Sequence, residues 1–325
     1  MTLESDSLLS DAGARTCIPE GIFMKRKTRL IFNVVVSLLL LAFVGVLNVT
    51  KSEAHKLITA PQATRNLPGE TPAKYNLPFE DVTVQTDDSL KLVGWFVPSQ
   101  NGAVIIMQHG YKSTRKELLN EAEMMYRHGY GILLTTIRAH DYSEGELITF
   151  GMNEVNDMEA WYQYILTRDE IDPNRIGILG NSYGGMLAIQ YASQNENIKA
   201  IVANSAFSSL NDTVSTSVTY FTDLPAFPFV PLIVFWAEQE TGFKTEDIDA
   251  TKWIAQISPR PVFLMQGGAD VVISADSGQR LYDAAGEPKE LWYDPELGHV
   301  EFDKERAVEF EQRVAEFFDT YLLDQ

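Results

Sequence analysis

Cysteine is almost absent from this chain of 325 residues, since Cys17 is the only one. The rest of the chain therefore offers neither a disulfide framework nor a cysteine–zinc site. Basic residues are also few: 26 lysines and arginines stand against 45 acidic residues, which leaves a net charge of −19. Residues 50–325 account for all of this negative charge. A domain so acidic repels nucleic acid and anionic lipid head groups, and we exclude both as ligands.

What the chain does have is an uncharged apolar segment near its start. Residues 30–49 form a run of 20 residues without a charge, which matches the ~20 residues that a helix needs to cross a bilayer. The basic cluster at residues 25–29 directly precedes this run. By the positive-inside bias, this pattern predicts a transmembrane helix over residues 30–49, a cytoplasmic segment over residues 1–29 and an extracytoplasmic remainder.

Two further hypotheses concern the same region. As a signal peptide, the segment would be cleaved at Ser52-Glu53-Ala54 and the protein secreted, although the run is longer than the about 7–15 apolar residues typical of such peptides. Met24 directly precedes the basic cluster, so residues 1–23 would be an upstream extension of a true start at that methionine. N-terminal sequencing of the natural protein tests both hypotheses.

Residues 77–323 show strand and helix signals in alternation. Residues 50–76, which contain Pro61, Pro68 and Pro72, are interpreted as a polar linker to this domain. An opening hairpin is predicted around the Asp87-Asp88 turn, and six further strands follow, most of them separated by helices. This alternation predicts an α/β fold with a mostly parallel central sheet and helices on both faces.

The motif Gly180-Asn-Ser182-Tyr-Gly184 lies between a strand-like apolar run and a helix-like run of small and apolar residues. It is the G-x-S-x-G nucleophile elbow in the strand–turn–helix context that this motif requires. Glycine neighbours accommodate the strained backbone that exposes the serine Oγ at the carboxyl end of the strand. The sequence therefore predicts Ser182 as a nucleophile. The alternative is a glycine-rich turn with an unreactive serine.

A serine nucleophile needs a base, and the chain has only five histidines. His299 follows a predicted strand at residues 290–293 and lies on a loop before the last helix, from which a side chain can reach the strand ends. We interpret His299 as the base, the alternative being a solvated loop histidine. His109 and His140 are interpreted as structural, with His109 supporting its own loop by hydrogen bonding.

The acid that orients the base is expected between the serine and the histidine in the chain. Asp270 fits this place best, because it follows an apolar strand and a double glycine. There it would fix the tautomer of His299 and stabilise the imidazolium. Asp276 and Asp294 are weaker alternatives, and Asp276 is expected to cap a helix.

The oxyanion formed on the substrate needs hydrogen-bond donors. One predicted donor is the backbone N–H of Tyr183, the residue after the nucleophile. The other is the N–H of Tyr111, because Gly110 lets the backbone of the turn after the strand at residues 103–108 approach the substrate.

In these motifs and their order, the chain resembles the α/β-hydrolase superfamily over residues 77–323. Residues 171–177 (Ile-Asp-Pro-Asn-Arg-Ile-Gly) and the Ser-Tyr-Gly-Gly sequence at the elbow are similar to prolyl-oligopeptidase-type and dienelactone-hydrolase-like members. Ala139 and Asp141 replace both glycines of the family's Arg-Gly-His-Gly-x-Ser loop, so a different loop shape is expected. Gln266 stands where a histidine is common before the acid turn, and we expect no loss of mechanism from this.

Residues 207–258 form a connection too long for a simple loop, and we predict a helical cap inserted into the domain. Residues 224–237, in its middle, are too short and too interrupted by proline for a second membrane span. A cap that lines the pocket would favour an apolar acyl or aromatic group, whereas the alternative is a cap that never touches substrate. The candidate substrate-binding residues are Tyr220, Phe221, Phe227, Phe229, Phe235 and Trp236.

The sequence thus predicts a membrane-anchored serine hydrolase that cleaves carboxylic esters, or less readily amides, through an acyl-enzyme and without a metal or cofactor. Its partners would be a small-molecule ester or amide and, through the N-terminal helix, a membrane. One alternative is a serine peptidase that acts on short peptides, and another is a catalytically silent α/β-hydrolase that binds a ligand. The complete set of Ser182, Asp270 and His299 favours an enzyme. The oligomeric state is not predicted.

Overall fold

The computed structural model describes residues 26–324 of the chain. Its α-helices are α1 Arg26–Ile58, α2 Leu119–Arg127, α3 Glu154–Ile165, α4 Tyr183–Gln194, α5 Leu210–Thr222, α6 Ala226–Thr241, α7 Ala250–Ile254, α8 Ser277–Ala284, α9 Phe302–Glu305 and α10 Ala307–Phe318. Its strands are β1 Glu80–Gln85, β2 Lys91–Val97, β3 Val104–Gln108, β4 Gly131–Thr135, β5 Ile176–Asn181, β6 Ile198–Asn204, β7 Val262–Gly267 and β8 Lys289–Asp294. The predicted cytoplasmic segment up to residue 25, with the alternative start at Met24, lies outside the described residues.

The eight strands form one sheet in the order β1-β2-β4-β3-β5-β6-β7-β8. β2 pairs antiparallel with β1 and with β4, and the other neighbouring pairs are parallel. The predicted opening hairpin is β1–β2. Because parallel neighbours need crossover connections, the helices that link the later strands cover the faces of the sheet. The mostly parallel α/β sheet predicted from the sequence is confirmed.

Two apolar cores lie on the two faces of the sheet. On one face Ile106 packs in a cluster with Trp161 of α3 and Leu187 of α4. On the other face Ile105 packs in a cluster with Phe310 of α10. β3, β4, β5 and β7 are buried along their whole length, which is why their sequences are continuously apolar rather than alternating. This packing fixes the strand ends from which the site is built.

Helix α1 extends beyond the predicted span. It is the one helix in residues 26–324 that is long and apolar enough by itself to cross a membrane. The helix ends at Ile58, so residues 50–58 are helical rather than part of an irregular linker. Neither glycine nor proline interrupts these residues, and Ala54 and Ile58 are buried. The chain divides between Val46 and Leu47 into two compact units, so the last turns of α1 belong to the unit that holds the sheet.

Helices α5 and α6 occupy the predicted insertion between β6 and β7. They are bent by 103° relative to each other, and together they are apolar enough to count as one broken membrane span, despite the prolines. Val218 of α5 and Ile233 of α6 pack in a buried cluster with Ala54 and Ile58 of α1. Because these side chains are buried against protein, we interpret the two helices as a cap on the domain.

Candidate active site

The Gly-x-Ser-x-Gly turn, predicted as a nucleophile elbow, joins β5 to α4. Ser182 has φ 54° and ψ −116°, a left-handed backbone conformation that costs a non-glycine residue about 1–3 kcal/mol. Close backbone packing holds it in place. A Cβ on Gly184 would lie 2.1 Å from the carbonyl oxygen of Gln108, and a Cβ on Gly180 would lie 2.2 Å from that of Gly184. No side chain fits at either glycine, so the motif has a steric cause.

The three predicted side chains from β5, β7 and β8 lie in contact. His299 Nε2 is 2.8 Å from Ser182 Oγ, and His299 Nδ1 is 2.7 Å from Asp270 Oδ2. The other carboxylate oxygen of Asp270 accepts the backbone N–H groups of Val272 at 2.8 Å and Ile273 at 3.1 Å. The Asp270 side chain is fully buried. Its orientation is thus fixed from both sides, and Oδ2, which the imidazole contacts, also accepts from Gln266 Nε2 at 3.5 Å.

The two alternative acids are engaged elsewhere. Asp276 accepts hydrogen bonds from Ser274 Oγ at 2.6 Å and from Arg280 Nε at 2.8 Å. It precedes α8 but makes no side-chain cap bond to that helix. Asp294 is paired with Arg306 at 2.9 Å. Asp270 is therefore the acid at His299.

The turn after β3 runs beside Ser182. A Cβ on Gly110 would lie 3.4 Å from Ser182 Cβ, so the backbone of this turn approaches the serine closely. Tyr111 follows Gly110 in this turn. The N–H of Tyr183 is the first amide of α4, one of those that a helix leaves without an intrahelical partner. One predicted oxyanion donor is therefore the backbone N–H of the residue after the serine. The other is a backbone N–H of the turn beside the serine.

Two buried histidines hold this turn. His109 Nδ1 donates to the carbonyl of Gly110 at 2.8 Å, and its Nε2 accepts the Ile137 N–H at 3.3 Å. His140 Nε2 accepts the Lys112 N–H at 2.9 Å. Burial lowers the pKa of His109 to about 3 and the pKa of His140 to about 4. Both rings are therefore neutral at pH 7, and their predicted structural roles are confirmed.

Glu117 is a residue of the site that the sequence did not point to. Its Oε1 accepts the Gly110 N–H at 3.2 Å, and it lines the same cavity as Ser182 and His299. Burial is the main cause that raises the pKa of this carboxyl group. In the sequence, Glu117 is recognisable only as an acidic residue seven positions after Gly110. An acidic residue at such a position usually lies in the solvent-exposed first turn of a helix.

A cavity of about 400 Å³ lies beside Ser182 and His299. This volume is in the range of small-molecule sites. Apolar side chains of α1 and of the cap make up much of its wall. They include Leu57, Ile58, Phe221, Ile233 and Ala237.

Two of the six predicted substrate-binding residues, Tyr220 and Phe221, line this cavity. The prediction for Phe227, Phe229, Phe235 and Trp236 is wrong, because none of these four lines it. The face of α6 that lines the cavity carries Ile233, Val234 and Ala237. Phe235 and Trp236, between the last two of these, lie on other faces of the helix. Phe227, at a non-helical kink, and Phe235 are exposed, whereas Phe229 and Trp236 pack in the cluster around Ala54 and Ile58.

Within residues 26–324, no group of three or more histidine, cysteine, aspartate or glutamate side chains could hold a metal ion. The site itself presents a hydroxyl, an imidazole, a carboxylate and backbone amides. Together they can activate a serine and stabilise an oxyanion.

The sequence profile of the prolyl oligopeptidase family matches residues 140–325, more than half of the chain. The chain belongs to the prolyl oligopeptidase family. The matched segment contains Ser182, Asp270 and His299. Among curated relatives, the uncharacterized protein YfhR of Salmonella typhi is 27% identical over 274 residues, which cover 78% of this chain and 85% of YfhR. An uncharacterized protein of Mycobacterium tuberculosis is 28% identical over 273 residues, which cover 82% of this chain and 87% of the relative.

Solved structures with the same fold include an esterase and a peptidase. The esterase Pf2001 of Pyrococcus furiosus superposes with a TM-score of 0.69 at 27% identity, covering 82% of this chain and 98% of the esterase. The acylaminoacyl peptidase of Pyrococcus horikoshii superposes with a TM-score of 0.60 at 18% identity, covering 76% of this chain and 42% of the peptidase. This member of the prolyl oligopeptidase family thus has the α/β-hydrolase fold, and the comparisons support hydrolase activity.

The loop at residues 138–143 departs in sequence from the Arg-Gly-His-Gly-x-Ser pattern. Ala139 has φ 58° and Asp141 has φ 47°. Both residues thus adopt the left-handed conformation that glycine favours, so the expected change of loop shape is not found at these two positions. Asp141 is held there by an ion pair with Arg115 at 3.1 Å and by accepting the Tyr142 N–H at 2.6 Å. Packing and hydrogen bonds thus keep a backbone that glycine would adopt freely.

Proposed function

We propose that this chain is a membrane-anchored serine hydrolase that cleaves carboxylic esters through an acyl-enzyme. The observation that carries the proposal is the line of hydrogen bonds from Asp270 through His299 to Ser182, with distances of 2.7 Å and 2.8 Å. In this arrangement the base is within reach of the hydroxyl proton, and the acid fixes the ring by its other nitrogen.

In the proposed reaction, Ser182 Oγ attacks the ester carbonyl carbon while His299 Nε2 takes the hydroxyl proton. The negative charge that forms on the carbonyl oxygen is bound by the N–H groups of Tyr111 and Tyr183. The C–O bond to the alcohol then breaks, and His299 gives its proton to the leaving alkoxide. A water molecule repeats the sequence on the acyl-enzyme, releasing the carboxylic acid and restoring Ser182.

The proposed anchor is α1, with the N-terminus cytoplasmic and the catalytic domain extracytoplasmic. The alternative is a secreted protein cleaved at Ser52-Glu53-Ala54. The anchor is favoured because α1 continues without a break through that sequence and Ala54 is fully buried in the folded domain. Membrane fractionation followed by N-terminal sequencing tests the choice. Recovery of a soluble protein that begins at His55 would contradict the anchor.

Labelling with a fluorophosphonate probe tests the nucleophile. We expect the folded protein to be labelled and the Ser182→Ala variant to remain unlabelled, because the probe reacts with activated serines. Ser205→Ala is a control at another serine near the site, whose Oγ accepts the Val300 N–H at 3.1 Å, and this variant should still be labelled. A folded protein that does not react would contradict the enzyme and favour a binding module.

A peptidase is the second candidate, because the chain belongs to the prolyl oligopeptidase family. The apolar wall of the cavity favours the ester, since it offers few polar partners for a peptide backbone. A panel of p-nitrophenyl esters beside aminoacyl amides of matched size distinguishes the two. Faster turnover of the amides, lost in Ser182→Ala, would favour the peptidase.

A further inference from the structure

The last turns of α1 are built into the domain that holds the site. Ala54 and Ile58 are 0% and 1% exposed, and they pack in one cluster with Val218 and Ile233 of the cap. At the end of the helix, the hydroxyl of Tyr111 donates to the carbonyl of Leu57. The free carbonyls of a helix C-terminus need such donors. The end of α1 is therefore bound both to the cap and to the turn beside the nucleophile.

The same turns form part of the cavity wall. Leu57 and Ile58 line the cavity together with Ser182 and His299. Tyr220 and Phe221 also line it but are 51% and 44% exposed, which places this aromatic pair at its opening. A substrate that enters here meets aromatic rings first and an aliphatic wall inside.

This wall lies close to the end of the predicted membrane span. The span ends at Val49, and at a helical rise of about 1.5 Å per residue Leu57 is about 12 Å further along the axis. Between them, Lys51 Nζ lies 5.4 Å from the ring centroid of Trp236. Tryptophan is enriched at membrane–water interfaces, and lysine near helix ends reaches toward them. The cavity is thus within a few helical turns of the lipid that α1 would enter.

We propose that the substrate is a long-chain acyl ester with an uncharged head group, taken from the membrane that α1 enters, and that Leu57 limits the length of the acyl chain. The proposal rests on the proposed function, because the chain that fills the cavity is the acyl group transferred to Ser182. An anionic head group is disfavoured, because residues 50–325 carry the whole negative excess and repel anionic groups.

The test uses the full chain in phosphatidylcholine vesicles with p-nitrophenyl esters from acetate through butyrate, octanoate and laurate to palmitate. We expect kcat/KM to rise by up to about fourfold per methylene until the cavity is filled. Within each variant, kcat/KM for every ester is divided by that for acetate, so that a general loss of activity cancels. Leu57→Trp should lose most of this relative gain for the longer chains, because the indole occupies the wall, and Leu57→Ala should move the optimum to longer chains.

Leu67→Trp is the matched control, since Leu67 is exposed and does not line the cavity. Its chain-length profile should equal that of the wild type. If Leu57→Trp fails to hydrolyse even acetate, the profile of Leu57→Ala decides. An unchanged profile in an active Leu57 variant overturns the proposal while the esterase stands, whereas a wild type that hydrolyses no ester overturns the proposed function itself.

The head group is tested with a long-chain monoacylglycerol and its phosphorylated counterpart in the same vesicles. We expect the uncharged ester to be hydrolysed faster at low ionic strength, with the difference shrinking in salt as charge repulsion is screened. Faster hydrolysis of the phosphorylated ester would overturn the assignment of an uncharged head group.

Discussion

His299 Nε2 lies 2.8 Å from Ser182 Oγ, although 117 residues separate the two in the chain. The serine stands at the end of β5 and the histidine on the loop after β8, and the carboxyl ends of parallel strands meet at one edge of the sheet. Asp270, after β7, completes the line from the same edge. The topology of the sheet, rather than any local sequence, brings these groups together.

Asp270→Asn should lower kcat for an ester such as p-nitrophenyl butyrate by up to about 10⁴-fold. The amide keeps the size of the side chain, but its NH₂ group can favour the wrong tautomer of His299. Asp276→Asn is the matched control, because Asp276 bonds to Ser274 and Arg280 instead. Its kcat should stay near the wild-type value. Loss of activity in the control but not in Asp270→Asn would show that the acid has been misassigned.

Glu117→Ala should lower kcat by up to about 100-fold with little change in KM, because the Gly110 N–H loses its acceptor and the turn is free to move. Glu117→Gln retains an oxygen at the same place and should keep most of the activity. Steady-state kinetics on one ester measure both variants. Equal loss in the two would indicate that the negative charge, rather than the position of the turn, is what the reaction needs.

Gly184→Ala should destabilise the domain by more than about 4 kcal/mol, because the new Cβ would lie 2.1 Å from the Gln108 carbonyl oxygen. Gly69→Ala is the control: Gly69 has φ 58° but no atom within 4 Å of an added Cβ. There the cost should be only the about 1–2 kcal/mol of left-handed backbone. Urea unfolding compares the two, and a Gly184→Ala protein as stable as the control would refute the close approach.

The free energy of unfolding should fall in acid because of the two buried histidines. Burial holds the pKa of His109 at about 3 and that of His140 at about 4, below the ordinary value of 6.5. Between pH 6.5 and about pH 4 the unfolded chain therefore binds more protons than the folded one. Each histidine contributes a loss of up to about 1.4 kcal/mol per pH unit as the pH falls through this window.

Urea unfolding at pH 7 and at pH 5 measures this loss. His140→Gln, which still offers an acceptor for the Lys112 N–H, should lose less stability between the two pH values than the wild type. His128→Gln is the control at an exposed position beside Glu311 and should follow the wild type more closely. Parallel pH dependences of wild type and His140→Gln would contradict a neutral, buried His140.

Much of the fold and of the candidate site could be predicted because their signals are local or depend on chain order. Five consecutive residues predict the elbow, because no side chain fits at Gly180 or Gly184 and both positions therefore require glycine. The places of Asp270 and His299 follow from which strand precedes each. The continuous apolar runs of β3, β4, β5 and β7 predict strands, because a strand buried on both faces does not need alternating polar and apolar residues.

What could not be predicted depends on contacts between distant segments. Residues 50–58 are polar enough to suggest a linker, and Ala54 and Ile58 are buried by distant segments, chiefly the cap. Glu117 is buried because a turn and a strand end close over it. In α6, the kink at Phe227 and the rotation of the helix about its axis determine which side chains line the cavity. Neither feature can be predicted from the amino-acid composition of the segment.

The helical residues 50–58 also bear on how this protein should be shortened for crystallisation. Starting the chain at Pro61, the first proline after the apolar run, would remove Leu57 and Ile58 and expose the apolar surface of the cap to solvent. Cutting at Leu47 instead keeps Ala54, Leu57 and Ile58 in the shortened protein while deleting most of the apolar run. Whether residues 47–60, the fourteen between these two cutting points, are kept would thus determine whether the shortened protein crystallises or aggregates.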